Sequence, residues 1–175
     1  MGSEPPIKPI FEPLGTQHDR AAFHCGTESL DRYFHQQASQ DFRRRLAVPY
    51  VMVEACANVI AGYYILTNNQ VAVEELPPEI TRRIPYNDVP ATLIGRLALD
   101  LKYQGQGLTR LLLMDALSRS FQNSHRVASL AVVVDAIDDR ASTIYQHYGF
   151  IPFPNNANRL FLPMDTIKKL FGPAN

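Results

Sequence analysis

The chain has 175 residues, enough for one domain with a full-sized core, and its composition is 46% hydrophobic and 19% charged, which excludes a disordered chain. Seventeen basic residues balance seventeen acidic ones, so no global charge draws it to nucleic acid or to a membrane surface. Two cysteines, Cys25 and Cys56, and no CxxC pair exclude a disulfide scaffold. Both read as small, reduced, apolar residues of a cytoplasmic protein, and no apolar signal core or membrane-length run argues otherwise.

Residues 1–15 are proline-rich and read as an extended arm or an edge strand. "CGTESLDRYFHQQASQDFRRR" (25–45) reads as one helix. Thr27 or Ser29 caps it, and Leu30, Tyr33, Phe34, Ala38 and Phe42 recur at helical spacing. "PYVMVEACANVIAGYYIL" (49–66) reads as two strands with a tight turn at Ala57–Asn58. Residues 74–90 are a proline-broken insertion with a short helix at 77–83.

"ATLIGRLALD" (91–100) is a buried strand, and "LTRLLLMDALSRSFQ" (108–122) is an amphipathic helix. "VASLAVVVDA" (127–136) is the next buried strand. Asp138 caps a helix running to about His147, which Gly149 ends. Residues 150–154 and 159–162 are closing strands joined by a turn at 154–158, and a last helix covers 165–171. The order predicts an α/β protein with a mixed central sheet and flanking helices.

Between the strand ending near Asp100 and the helix from Leu108 stands "QGQGLT" (104–109). A strand, a glycine-bearing turn and a helix start make an anion site, because the first helical N–H groups lack internal partners and the helix dipole is positive there. The alternative is a plain tight turn. Neither GxxxxGK[ST] nor GxGxxG is present, so a P-loop or a dinucleotide site does not fit. HExxH, HxxxH and GxSxG are also missing.

Gln104-x-x-Gly107-x-Thr109 is similar to the Q/R-x-x-G-x-G/A motif of GCN5-related N-acetyltransferases, the GNAT superfamily. "DDRASTIYQHYGF" (138–150) resembles that superfamily's N-x-x-A-x-x-x-Y-x-x-x-G-F element. Asp138 takes the Asn position, and Ala141, Tyr145, Gly149 and Phe150 match directly. Thr109 departs from the small last residue of the first motif. Over nearly the whole chain the resemblance is to the acetyltransferase toxins of type II toxin–antitoxin pairs, through "FHCG", "GRLA", "VVVDA" and "FIPFP".

The resemblance implies a single-domain GNAT-like fold with a mostly antiparallel sheet. It implies acetyl-CoA as cosubstrate, no metal, an aminoacyl-tRNA amine as acceptor, a ribbon-helix-helix antitoxin and a homodimer. It puts the CoA pyrophosphate on the turn around Gln104 and Gly105, against the backbone N–H groups of Gln106, Gly107, Leu108 and Thr109. The cofactor arm would lie along Leu97, Ala98 and Leu99, with Asp138, Ala141 and Tyr148 also on the cofactor side. Tyr145 would protonate the leaving thiolate, with Tyr148 as its rival.

Other groups stay open. Arg96 lies inside an apolar strand, so it contacts a substrate phosphate or pairs with Asp100 or Asp135. Glu54, Glu74 and Glu75 are the candidate bases, although an α-amine near pKa 8 needs none. Arg43, Arg44 and Arg45, with Arg32, Arg82 and Arg83, read as a solvated helix end more than an RNA-binding rim. The other readings are a GNAT enzyme for a small amine or a protein amine, and a CoA-binding module without catalysis.

Overall fold

The computed structural model describes residues 7–55 and 57–172; the first six residues of the arm and Cys56 lie outside the described residues. Along the chain, β1 covers Pro9–Pro13, α1 Glu28–Gln36, α2 Ala38–Arg43, β2 Val48–Glu54 and β3 Ile60–Ala72. Then come α3 (Pro78–Thr81), β4 (Asp88–Leu99), α4 (Leu108–Asn123), β5 (Ala131–Asp135) and α5 (Asp139–His147). β6 (Ile151–Phe153), β7 (Asn156–Pro163) and α6 (Met164–Leu170) complete the described residues.

The seven strands form one sheet in the order β1-β2-β3-β4-β5-β7-β6. β1–β2, β2–β3, β5–β7 and β6–β7 are antiparallel, and β4–β5 is parallel. The parallel pair follows from connectivity. A whole helix, α4, intervenes between β4 and β5, and such a crossover returns the chain in the same direction. The expected mixed, mostly antiparallel sheet with helices is the observed one.

Several boundaries differ from the sequence reading; β4 begins at Asp88, inside the expected insertion, and β5 at Ala131. The single helix expected over 25–45 is two helices, broken at Gln37 (φ −115°). The first of them starts at Glu28, with Thr27 as a backbone N-cap whose hydroxyl makes no capping bond. Asp31 explains the late start. Its carboxylate accepts the Cys25 N–H at 2.8 Å and hydrogen-bonds His24 Nδ1 at 2.6 Å, so residues 24–27 fold back over the first turn. β3 continues past Leu66 to Ala72, and β7 begins at Asn156, inside the expected turn. The proline-rich arm is an edge strand over Pro9–Pro13, where a missing N–H costs no ladder bond on the open side.

The backbone groups into two compact units: residues up to Thr67 with Gly95–Ala116, and Asn68–Ile94 with the residues from Leu117 on. The first is centred on three rings. Phe34 stacks on Tyr63 (centroids 4.2 Å apart, 11° between planes), and Phe23 meets both edge-on. The buried Tyr63 hydroxyl donates to the Leu30 carbonyl at 2.8 Å, so the ring carries no unpaired polar atom into the core. The second is built on Val89, Ala91, Val133, Phe153 and Phe161, with the two phenylalanines edge-on at 5.2 Å.

Gly62 on β3 sits where no side chain fits. A Cβ there would lie 2.9 Å from Leu99 Cδ2 and 3.0 Å from the Ala98 carbonyl oxygen. Gly62→Ala is expected to lower stability by about 1–3 kcal/mol, read as a lower denaturant midpoint at unchanged slope.

Candidate active site

β4 is the longer partner in the parallel pair. Its last register pair with β5 is Ile94 with Val134, β5 ends at Asp135, and β4 runs on to Leu99. The Leu97, Ala98 and Leu99 main chain thus extends past the end of the β5 ladder. Ala98 and Leu99 are buried, and Leu97 is partly exposed.

The chain then turns, and side chains fix the turn. Asp100 donates its N–H to the Ala61 carbonyl (2.9 Å), and its carboxylate accepts the N–H groups of His24 and Lys102 (both 2.9 Å). Gln104 donates through Nε2 to the Leu99 and Cys25 carbonyls, each at 2.9 Å. The side chain of this motif residue therefore ties the turn to the strand end and to the Phe23–Gly26 loop. Gln106 Nε2 donates back to the Lys102 carbonyl at 3.0 Å.

Gly105 and Gly107 have φ of +76° and +78°, a region a side chain enters only with strain, while a Cβ at either would meet open space. Conformation, not room, selects glycine here. From Leu108 the chain is helical. Leu108 is buried and anchors the first turn, and Thr109 is partly exposed. By helix geometry the first N–H groups of α4 have no intrahelical acceptor, and the dipole adds positive potential at an exposed turn. Gln104–Gly107 are all exposed. The residues present fit a phosphate-bearing ligand.

The second motif forms α5. Asp138 is its N-cap and accepts the Ala141 N–H at 2.8 Å, the role the sequence assigned to it. Ser142, buried, donates to the Ala157 carbonyl at 2.9 Å and fixes the helix on its own unit. Tyr145 lies inside the helix and meets Phe150 edge-on at 5.5 Å. Burial pushes its hydroxyl pKa up to about 12, so it is a protonated donor at every physiological pH. Tyr148 is the C-cap residue; its ring contacts His147.

Arg96 is partly buried with its guanidinium 3.6 Å from the centroid of the Tyr33 ring. The ion pair expected with Asp100 or Asp135 does not form. The first carboxylate is spent on backbone N–H groups, and the second faces Arg159 at 3.7 Å. Arg32, Arg43, Arg44, Arg45, Arg82 and Arg83 are all exposed. Glu54 accepts from the Tyr103 hydroxyl at 3.4 Å, and Glu74 and Glu75 sit in an exposed 3-10 turn. Among the described residues no group of three potential ligands could hold a metal ion.

Sequence reasoning missed the His24–Asp31–Cys25 cluster, because an aspartate seven residues after a histidine follows no recognisable pattern. It does not make a nucleophile. Burial, and then Asp31, push the Cys25 thiol up to about 11.

A family model described as an acetyltransferase (GNAT) domain matches residues 22–167. The chain belongs to the GNAT acetyltransferase family. As a GNAT protein it is an N-acetyltransferase. It is 31% identical, over 98% of its own length and 100% of the relative's, to a probable toxin TacT of Sinorhizobium fredii. It is 32% identical to a tRNA-acetylating toxin of Mycobacterium tuberculosis, over 88% and 91% of the two chains. The structure of AtaT complexed with acetyl-methionyl-tRNAfMet superimposes with a TM-score of 0.87 at 30% identity, covering 94% and 99%. AtaTR bound with acetyl-CoA gives 0.82 at 30% identity, covering 93% and 98%.

The cluster beside the turn carries a pH dependence. Burial alone raises the pKa of Asp31, but the Cys25 N–H, the Cys25 thiol and the His24 ring outweigh it and hold the carboxyl below the usual range. A depressed folded-state pKa gives stability that is full at neutral pH and lost as pH falls through the ordinary carboxylate range to the folded value. Asp31→Asn is expected to lower stability at pH 7 by about 1–3 kcal/mol and to flatten the acid limb of a stability–pH curve.

Proposed function

We propose that the protein is a toxin-type acetyltransferase that moves an acetyl group from acetyl-CoA to the amino group of an aminoacyl-tRNA and thereby blocks translation in the cytoplasm. The end-to-end match to a TacT relative carries this reading, because it extends beyond the acetyltransferase core to both ends of the chain. The tRNA-acetylating relative and the AtaT–tRNA complex support the acceptor. A ribbon-helix-helix antitoxin and a homodimer complete the proposal; an antitoxin partner, of whatever fold, is supported by the complex of AtaT with the C-terminus of the antitoxin AtaR.

Acetyl-CoA supplies an activated thioester. The N–H groups of Gln106, Gly107, Leu108 and Thr109 would hold its pyrophosphate, with the Thr109 hydroxyl adding a contact. The main chain at Leu97, Ala98 and Leu99 would pair with the pantetheine arm. A backbone N–H of Leu97 or Leu99 meets the oxyanion that develops as the amine attacks. Tyr145 gives its proton to the departing sulfur; its raised pKa keeps that proton on the phenol until the thiolate forms. The acceptor brings its own reactivity. An α-amine titrates near pH 8, so part of it is free base at neutral pH without a dedicated carboxylate.

A second reading, acetylation of a small amine or a protein amine, draws on the zero net charge. Incubation with acetyl-CoA and bulk charged tRNA separates the two. Acetylated aminoacyl-tRNA, together with growth arrest on induction without antitoxin, is expected. Acetylation of free amines with charged tRNA untouched sinks the toxin reading. Tyr145→Phe is expected to lower kcat by about a hundredfold or more, with acetyl-CoA affinity within about twofold of the parent. An unchanged kcat removes Tyr145 from the acid role.

A further inference from the structure

Arg96 poses a question that the cofactor site leaves unanswered. It sits on β4 immediately before Leu97, and the other residues of the strand from Leu93 to Leu99 are apolar or glycine. A half-buried guanidinium is costly without a compensating anion. Among the described residues no carboxylate pairs with it. What holds it is an aromatic face. The guanidinium carbon lies 3.6 Å from the Tyr33 centroid, well inside the range of a cation–π contact.

Tyr33 is itself held from behind. Its hydroxyl donates to Asp41 Oδ2 at 2.8 Å, and Gln37 Nε2 donates to Asp41 Oδ1 at 2.8 Å. Both oxygens of Asp41 are thus engaged, by Tyr33 and by Gln37. The ring is buried in the core cluster that also holds Phe34 and Tyr63. A guanidinium held over a ring face still has N–H groups to give, and their fork matches the oxygens of a phosphate.

We propose that Arg96 is a clamp for a backbone phosphate of the nucleic-acid acceptor, and that Tyr33 is the positioning residue that holds it ready. This rests on the aminoacyl-tRNA reading above. The cofactor's pyrophosphate is not the ligand. Its assigned donors begin at Gln106, while Arg96 lies three residues, about 10 Å of strand, before the end of β4. Arg96 instead directly precedes Leu97, one of the two residues whose N–H is proposed to meet the oxyanion. An anion taken there belongs to the molecule that brings the amine. In an aminoacyl-tRNA the nearest phosphate is one nucleoside away from that amine.

The test compares two acceptors, a full aminoacyl-tRNA and the matching aminoacyl nucleoside without phosphate. The readout is the ratio of their kcat/KM values. Arg96→Ala is expected to lower the ratio about tenfold, through KM for the tRNA. Arg96→Lys keeps the charge without the fork and should lower it about threefold. Tyr33→Leu removes the platform and should lower it several-fold, while Tyr33→Phe keeps the ring and should restore it to within about twofold. Because Arg96→Ala removes no core aromatic, it decides the question even where Tyr33→Leu does not fold. A ratio unmoved by Arg96→Ala, with both acceptors failing equally, makes the residue structural and overturns the clamp. A parent protein that acetylates neither acceptor refutes the acceptor reading, and the clamp falls with it.

Discussion

The start of α4 is the constraint on which the rest of the first unit is organised. A helix can offer its leading N–H groups to a ligand only if the chain reaches it by a sharp, exposed turn that nothing else fills. Gly105 and Gly107 supply that turn through positive φ, and Gln104 ties it down through two carbonyls from different parts of the chain. Asp100 adds two more bonds to backbone N–H groups. The Phe23–Gly26 loop, far away in sequence, is thereby built into the frame of the turn. The polar side chains here spend their hydrogen bonds on protein backbone.

α5 shows the complementary strategy. Its N-terminus is closed, because Asp138 caps it and no ligand is needed to satisfy it. It carries Tyr145, a partly buried phenol whose proton is held more tightly than in water. No metal or strong base is required if the attacking amine is partly deprotonated at neutral pH.

Much of this was legible in the sequence, and the gaps have physical causes. The β-branched run of β5, the periodicity of α4 and the Asp138 cap are local signals, and each landed within a few residues of its observed place. The two motifs marked the glycine turn and Tyr145 because backbone conformation and a helix cap impose short, fixed spacings. The break at Gln37 was not legible, since Phe42 and Ala38 keep the helical period across it. Nor were the Asp31 cluster or the Arg96–Tyr33 stack. The first is a loop folded back on a helix, and the second joins residues 63 positions apart. Arg96 itself was flagged by a conflict, a charge in an apolar strand, but within the chain the sequence offered only the carboxylates Asp100 and Asp135 as its partner, not the Tyr33 ring.

Thr109 remains the feature on which the cofactor assignment is most exposed, since its branched side chain stands where the related motif carries a small one. Amide resonances of an isotope-labelled sample, followed as acetyl-CoA is added, report on the N–H groups directly. Large downfield shifts confined to Gln106, Gly107, Leu108 and Thr109, with smaller ones along Leu97–Leu99, are predicted. Saturable binding that leaves those four amides unmoved would contradict the assignment of the α4 start as the pyrophosphate site.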